Sequence, residues 1–410
     1  MSIKEKLKEN SNCKLLVDVL LIFVITRLYM ILLCLIHDCI IGQDFNFIYD
    51  MNPWDAIHYR RITDEWYMLP GNNPQAEWAF FPLYPLVCRI IKFLTLNTIN
   101  TYIIGMIVSG ICVIISGFFG AKLVLRMQEK LGYEKSDARI FILLIMIAPY
   151  TFYFASMYTE SMFFMWVLLF FYFATERKYL IAGLMSGLAS ATRVVGCLLV
   201  FALIVEYFLE YKSRRKEVCL FKTANAGAGK TALKDNPLRL TGGFILDVIK
   251  TPKKMLAILL CPIGTFAYML YLYLLCGDGM AFMHVQIAWR EDEYFPIVGV
   301  LWKACTGQIE PRYTYMGWFC IAMFALYIYM IVRKYYSFGI FGIIALLVPL
   351  TSHVMSTCRF TAGNFVAFVG LYDLLSRFPK KVRICVYCVF VILESWCLYL
   401  WYNTYCAWLM

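Results

Sequence analysis

The sequence predicts an all-α, polytopic integral membrane protein, a bundle of about eleven membrane-spanning helices forming one domain over residues 1–410. Three observations predict it. The chain is 61% apolar and 16% charged with a mean hydropathy of +0.67, whereas a soluble domain is about 45–50% apolar and about 25% charged. Apolar runs approaching the ~20 residues needed to cross hydrocarbon recur from Leu15 to the C-terminus. The net charge of +11 is also distributed unevenly: with the N-terminus inside, about 28 of the 38 Lys and Arg fall in the tail and cytoplasmic loops. That asymmetry is the positive-inside pattern, and it argues against a nucleic-acid binder.

The predicted spans are 15–41, 101–125, 140–155, 161–175, 179–191, 194–211, 255–276, 315–332, 338–352, 360–375 and 384–401. The first follows a basic tail (Lys4, Lys6, Lys8, Lys14). At about 27 residues it is too long for a signal h-region, and no small-residue cleavage pattern follows, so it is expected to be retained. Further basic clusters, over 122–139, 212–254 and 377–383, mark the cytoplasmic side and contacts with anionic headgroups. Most of the 16 cysteines lie inside predicted spans without a paired zinc spacing, and read as small apolar residues.

Two non-cytoplasmic loops, 42–100 and 277–312, are long, and function is expected there. Within the first, residues 78–96 form an apolar stretch interrupted by Pro82 and Pro85 and carrying Arg89 and Lys92; it reads as an interfacial or re-entrant segment. The cytoplasmic loop 212–254 contains Ala224–Thr231, ANAGAGKT. This superficially resembles a phosphate-binding loop, but Ala224 stands where Gly is required and no strand precedes it, so a flexible basic loop is expected.

Every even-numbered span begins on the outside, where its free N–H groups suit an anion. Tyr158-Thr159-Glu160-Ser161 opens the fourth span, and Ala191-Thr192-Arg193 precedes the sixth. Ionised groups at this depth are costly and normally paired. Glu160 and Arg193 therefore either pair with each other structurally, or Arg193 faces a phosphate while Glu160 orients it or binds sugar hydroxyls. In the first loop, Pro53 marks a helix start, and Asp55, His58 and Tyr59 at i, i+3 and i+4 share one face. A carboxylate beside an imidazole and a phenol suits acid–base work; a short surface helix with an N-terminal Asp accounts for the same residues. His37, His58, His284 and His353 all fall outside, but none has helical ligand spacing, so no metal is expected.

Four stretches, in this order and at these places, resemble the glycosylphosphatidylinositol mannosyltransferase II (PIG-V) family and its bacterial relatives. They are Trp54–Tyr59 (WDAIHY), Ala79–Pro85 (AFFPLYP), Tyr158–Ser161 with Gly187–Gly196 (GLASATRVVG), and Ala281–Gln286 leading to Trp289-Arg290. Ser356-Thr357-Cys358-Arg359-Phe360 fits the family's Ser-x-x-Arg-aromatic stretch, but Phe365-Val366 stands where the family commonly has Phe-Pro. The resemblance implies a C-type glycosyltransferase fold whose first outer loop supplies a catalytic acidic residue, matched by Asp55. It further implies a mannosyl phosphoryl polyprenol donor (dolichol in eukaryotes), an inverting transfer and no cofactor. The acceptor, a glycolipid or glycan, stays open, with glycosylphosphatidylinositol anchor biosynthesis one option. The enzyme would sit in the plasma membrane if bacterial and the endoplasmic reticulum membrane if eukaryotic, its active site on the non-cytoplasmic face.

Candidate contacts to donor or acceptor, drawn from these motifs and helix ends, are His58, Tyr59, Arg60, Phe81, Pro82, Tyr84, Tyr158, Glu160, Ser161, Arg193, His284, Gln286, Trp289 and Arg359. Two other functions compete: a transporter or flippase of a lipid-linked sugar, and a transferase of the same superfamily using another sugar. Transporters tend to show internal repeats and polar breaks at the bilayer midplane, whereas here no repeat is seen and the polar motifs collect at one face. The charge asymmetry places loops 42–100 and 277–312 opposite loop 212–254. Cysteine-accessibility labelling should therefore reach Arg60 and Lys230 from opposite sides, and labelling of both from one side would remove the topology and the site with it.

Overall fold

A computed structural model describes residues 3–69, 77–225, 237–288, 297–351, 353–403 and 408–409, and these are helical with no strand among them. Five helices are long and apolar enough to cross a membrane: Ser11–Ile41, Thr101–Leu131, Val194–Glu217, Pro311–Val332 and Lys380–Tyr402. A sixth is bent by 49° between Pro252–Leu260 and Ile263–Cys276. Four apolar helices, Glu160–Thr175, Tyr179–Thr192, Tyr336–Leu350 and Phe365–Ser376, are shorter. Length and composition thus support five or six spans where the sequence predicts eleven.

The differences have local causes. The predicted span 140–155 breaks after Arg139–Ile147 because Pro149 drives the preceding Ala148 into extended backbone (ψ 149°). Tyr150 then turns left-handed (φ 71°) into the 3-10 turn Thr151–Ala155. The whole irregular stretch 148–159 is shielded by protein, as non-helical backbone at membrane depth must be. The predicted span 360–375 divides into Thr357–Ala362 and Phe365–Ser376, because Asn364 caps the second helix by accepting from the Val366 N–H (3.3 Å).

The bundle reverses the soluble arrangement. Its first helix turns Leu20, Leu21, Val24, Ile25, Leu28 and Leu32 outward, while the interior holds polar residues such as Glu160, Glu206, Arg359, Asp373 and Glu394. Exposed aliphatic surface on this scale fits an apolar solvent. At the centre, Glu160–Thr175 packs between Thr101–Leu131 and Tyr179–Thr192.

Tyr179–Thr192 in turn packs on the bent pair through glycines. A Cβ on Gly264 would sit 2.3 Å from the Gly187 carbonyl oxygen, and one on Gly183 would sit 2.5 Å from that of Ala257. This approach lets Ser190 Oγ accept the Gly264 and Thr265 N–H groups (3.1 and 3.3 Å), donors that a helix start leaves unsatisfied. Arg193 follows three residues later, so the same crossing fixes the base of the polar site.

Gly264→Val should consequently destabilise the purified protein by about 1–3 kcal/mol, the usual cost of overpacking. Gly242, with open space where a Cβ would be, serves as control, and thermal unfolding in detergent compares the two. Equal melting of Gly264→Val and Gly242→Ala would show that the crossing is not tight.

Candidate active site

Four charged side chains meet at the end of the bundle formed by the first long loop. Glu160 is the first residue of Glu160–Thr175 and is completely buried. Its Oε1 accepts from Arg193 Nη1 (2.9 Å) and Arg359 Nε (2.5 Å). Arg359 Nη1 reaches on to Asp55 Oδ2 (2.6 Å). The order is Asp55, Arg359, Glu160, Arg193, two carboxylates against two guanidiniums, so the chain of charges is neutral. Exposure rises toward its ends: the side chains of Glu160 and Arg359 are 0% and 5% exposed, those of Arg193 and Asp55 18% and 28%. A ligand can reach Asp55 and Arg193 while the inner pair holds them.

Each member is delivered by a constrained backbone. Asp55 begins the helix Asp55–Glu65 directly after Trp54, whose φ is 58°. Arg359 lies on Thr357–Ala362 directly after Ser356, whose φ is 63°. Bulky residues seldom adopt positive φ, and such strain persists where surroundings over-determine it. Here they do: Asn52 Oδ1 accepts the Met157 N–H (2.5 Å), and Tyr158 Oη donates to the Pro53 carbonyl (2.8 Å), binding the loop to the segment before Glu160. Gly363 matters on the other side, since a Cβ there would lie 3.4 Å from Glu160 Cγ.

Aromatic faces surround the guanidiniums. Arg359 lies 4.7 Å from the Tyr158 ring centroid and 5.2 Å from that of Tyr153, and Arg193 lies 4.6 Å from that of Phe360. Stacking on π faces orients a cation without using its donors. Beyond Nη1, the Arg193 guanidinium carries no hydrogen bond among the described residues. Glu160 Oε2 and Ser161 Oγ are buried without a hydrogen-bond partner among the described residues.

The sequence reading joined Glu160 and Arg193, and the structure contains that ion pair. Arg193 is extended (φ −153°, ψ 140°) and leads into a 3-10 turn, Val194–Leu198, rather than into the first turn of an α-helix. Asp55, His58 and Tyr59 diverge instead of forming one acid–base face. His58 turns to Glu77 (3.4 Å) and stacks on Phe80, while Tyr59 is buried and shares a hydrogen bond with Thr159 Oγ1 (3.1 Å). His58 and Arg61 together hold the Glu77 carboxyl down to about 2.

Tyr84 is fully buried and donates to the Gly105 carbonyl, and Phe81 packs with Tyr268 and Phe282 in a second core; both are packing residues. Pro82 precedes the helix Leu83–Leu94 as its cap. His284 is exposed and paired with Asp278 (2.7 Å), Gln286 lies on the short turn Val285–Ala288, and Trp289 lies outside the described residues. Arg60 faces a separate polar cavity. Sequence reasoning gave no role to Asn52 or Tyr153; Asn52 lies next to Pro53, just before the first motif, which was its available signal.

The four histidines do not converge. His37 pairs with Asp38 (2.9 Å), and His353 accepts the Met355 N–H while packing on Tyr313. Among the described residues, one group could offer a metal three ligand atoms, Cys34, Asp38 and Asp50, lying within 4.8 Å of one another. Burial and the neighbouring Asp38 carboxylate raise the Asp50 carboxyl above the ordinary range.

No family model matches this chain, and no curated protein matches it, so the family its motifs resemble is not shown. Among solved structures it is similar to the crystal structure of the Archaeoglobus fulgidus oligosaccharyltransferase tethered with an acceptor peptide containing the NVT sequon via a disulfide bond. The identity is 14% and the TM-score 0.42, covering 95% of this chain and 55% of that one. The chain spans about half the length of that protein.

Removing Arg359 leaves Asp55 without its charged partner and the fully buried Glu160 with Arg193 alone, and breaking a buried pair costs about 3–5 kcal/mol. Arg359→Ala should lose stability of that order, and Arg193→Ala distinctly less, because Arg193 is partly exposed and pairs with Glu160 alone, whereas Arg359 is buried and bridges both carboxylates. Denaturation in detergent compares them, and equal losses would mean that the two arginines do not differ in this way.

Proposed function

We propose that the chain is an inverting membrane glycosyltransferase that moves mannose from a polyprenyl phosphate-mannose to a lipid-linked or glycan acceptor on the non-cytoplasmic face. The observation that carries this reading is the linkage of an accessible carboxylate, Asp55, to two arginines fixed by one buried carboxylate. Mannose, the polyprenol and the inverting transfer come from the motif resemblance, and the geometry supports the roles given to Asp55 and the two arginines.

In such a transfer the acceptor hydroxyl loses a proton as its oxygen attacks the anomeric carbon, and the lipid phosphate departs with the glycosidic electron pair. Asp55 is suited to take the proton: Oδ2 is held by Arg359, and Oδ1 carries no hydrogen bond among the described residues. Arg193, with unused donors beside Phe360, and Arg359 are suited to hold the phosphate, whose charge grows as the bond breaks. Glu160, buried and doubly engaged, positions both guanidiniums and is not itself a base. A monophosphate leaving group held by two arginines does not require a divalent cation.

A transporter would use the same charges to bind a lipid-linked sugar but would have no need of a proton acceptor. Asp55→Asn separates the two readings. It should lower transfer by about 10²–10⁴-fold, the range of general-base catalysis, while leaving donor binding intact. Asp50 and Asp64 are controls with other duties, Asp50 against Cys34 and Asp64 against Lys92. Near-normal turnover of Asp55→Asn at saturating donor would remove Asp55 as the base.

Arg193→Ala should raise the donor KM far more than it lowers protein abundance. Loss of the folded protein in Arg193→Ala and Glu160→Ala alike would assign their pair a structural role alone.

A further inference from the structure

The helix that begins with Asp55 has a second polar environment. Five residues on, Arg60 is exposed and lies over the Tyr102 ring, 5.6 Å from its centroid, at a cavity of about 410 Å³. Five residues advance a helix by about 7.5 Å and turn it by about 140°. This cavity therefore opens on another side of the helix from the Asp55–Arg359 contact, within a short reach of it.

The charges in the cavity do not cancel. Asp64 is consumed internally, its Oδ1 accepting from Lys92 Nζ (2.5 Å) and Thr101 Oγ1 (2.7 Å). Arg60 has no carboxylate partner among the described residues, so the wall made by Arg60, Lys92 and Asp64 carries one net positive charge. Asn97 adds a polar residue to the lining, and Tyr49 and Tyr102 add aromatic walls. An open cavity with a surplus guanidinium and neutral donors suits an anionic oxygen group, which guanidinium binds through paired, charge-assisted hydrogen bonds.

The surroundings specify what carries that group. On Leu83–Leu94, Tyr84, Pro85 and Cys88 face the protein, while the apolar Leu86 and Ile90 face out. Its end and the turn beyond, which bound the cavity, expose Phe93 (74%), Leu94 (72%) and Leu96 (82%). Such an apolar knuckle beside basic residues is the arrangement of a segment seated at the membrane surface. We propose that the Arg60 cavity binds the phosphate of an anionic lipid headgroup whose chains lie against Phe93, Leu94 and Leu96.

The test uses the full chain in nanodiscs containing phosphatidylglycerol and phosphatidylcholine, with retained lipid measured by native mass spectrometry. Wild-type protein should retain phosphatidylglycerol in preference to phosphatidylcholine. Arg60→Gln should lose that preference by about tenfold or more, the size of a charged hydrogen bond, and Arg60→Lys should keep part of it. Melting temperature should be unchanged in both, since Arg60 is exposed. Equal retention by wild type and Arg60→Gln would overturn the proposal, and displacement of the lipid by an equal concentration of soluble glycerol 3-phosphate would overturn the assignment to a lipid. Asp55→Asn provides the separation from catalysis: it should retain lipid as wild type does, and loss of the phosphatidylglycerol preference in Asp55→Asn would overturn a site confined to the Arg60 cavity.

Discussion

Glu160 is a carboxylate with no exposed surface inside an apolar bundle, and an isolated charge there would be costly enough to prevent folding. It is tolerated because two guanidiniums share its Oε1. Those guanidiniums come from positions 33 and 199 residues away, so satisfying one carboxylate draws together Glu160–Thr175, the end of Tyr179–Thr192 and the short helix Thr357–Ala362. The second guanidinium has donors left over and extends to Asp55, which ties the first long loop to the same point.

This constraint explains why the site is rigid at its centre and accessible at its ends. Trp54 and Ser356 hold left-handed backbone immediately before Asp55 and Arg359, and the Asn52 and Tyr158 hydrogen bonds hold the first of these turns against the segment leading to Glu160. The crossing through Gly187 and Gly264, secured by Ser190, sets where Arg193 emerges. Packing far from the chemistry thereby determines the spacing of the groups proposed to hold a phosphate and to accept a proton.

The apolar helices and the pairing of Glu160 with Arg193 were legible because each is a local property of composition or of a charge at membrane depth. The Asp55–Arg359 contact was not, since 304 residues separate its partners and either could have faced solvent. Eleven spans are not confirmed, since hydropathy does not register the backbone effects of Pro149 or Asn364, which divide apolar runs into shorter pieces. The i, i+3, i+4 pattern of Asp55, His58 and Tyr59 placed them on one helix but not toward one target, since Glu77 and Thr159 draw two of them aside. Tyr84 and Phe81 stand in a motif that reads as functional, yet their side chains fill the core.

The central claim is that this charge chain serves sugar transfer from a lipid phosphate, and the most direct measurement follows a radiolabelled sugar. Purified protein in sealed vesicles would be given polyprenyl phosphate-mannose and candidate acceptors, and both the location of the label and the anomeric configuration of any product determined. The account predicts label covalently joined to an acceptor with the configuration inverted. Label that remains on the polyprenyl phosphate and crosses the bilayer, or a product with retained configuration, would contradict it.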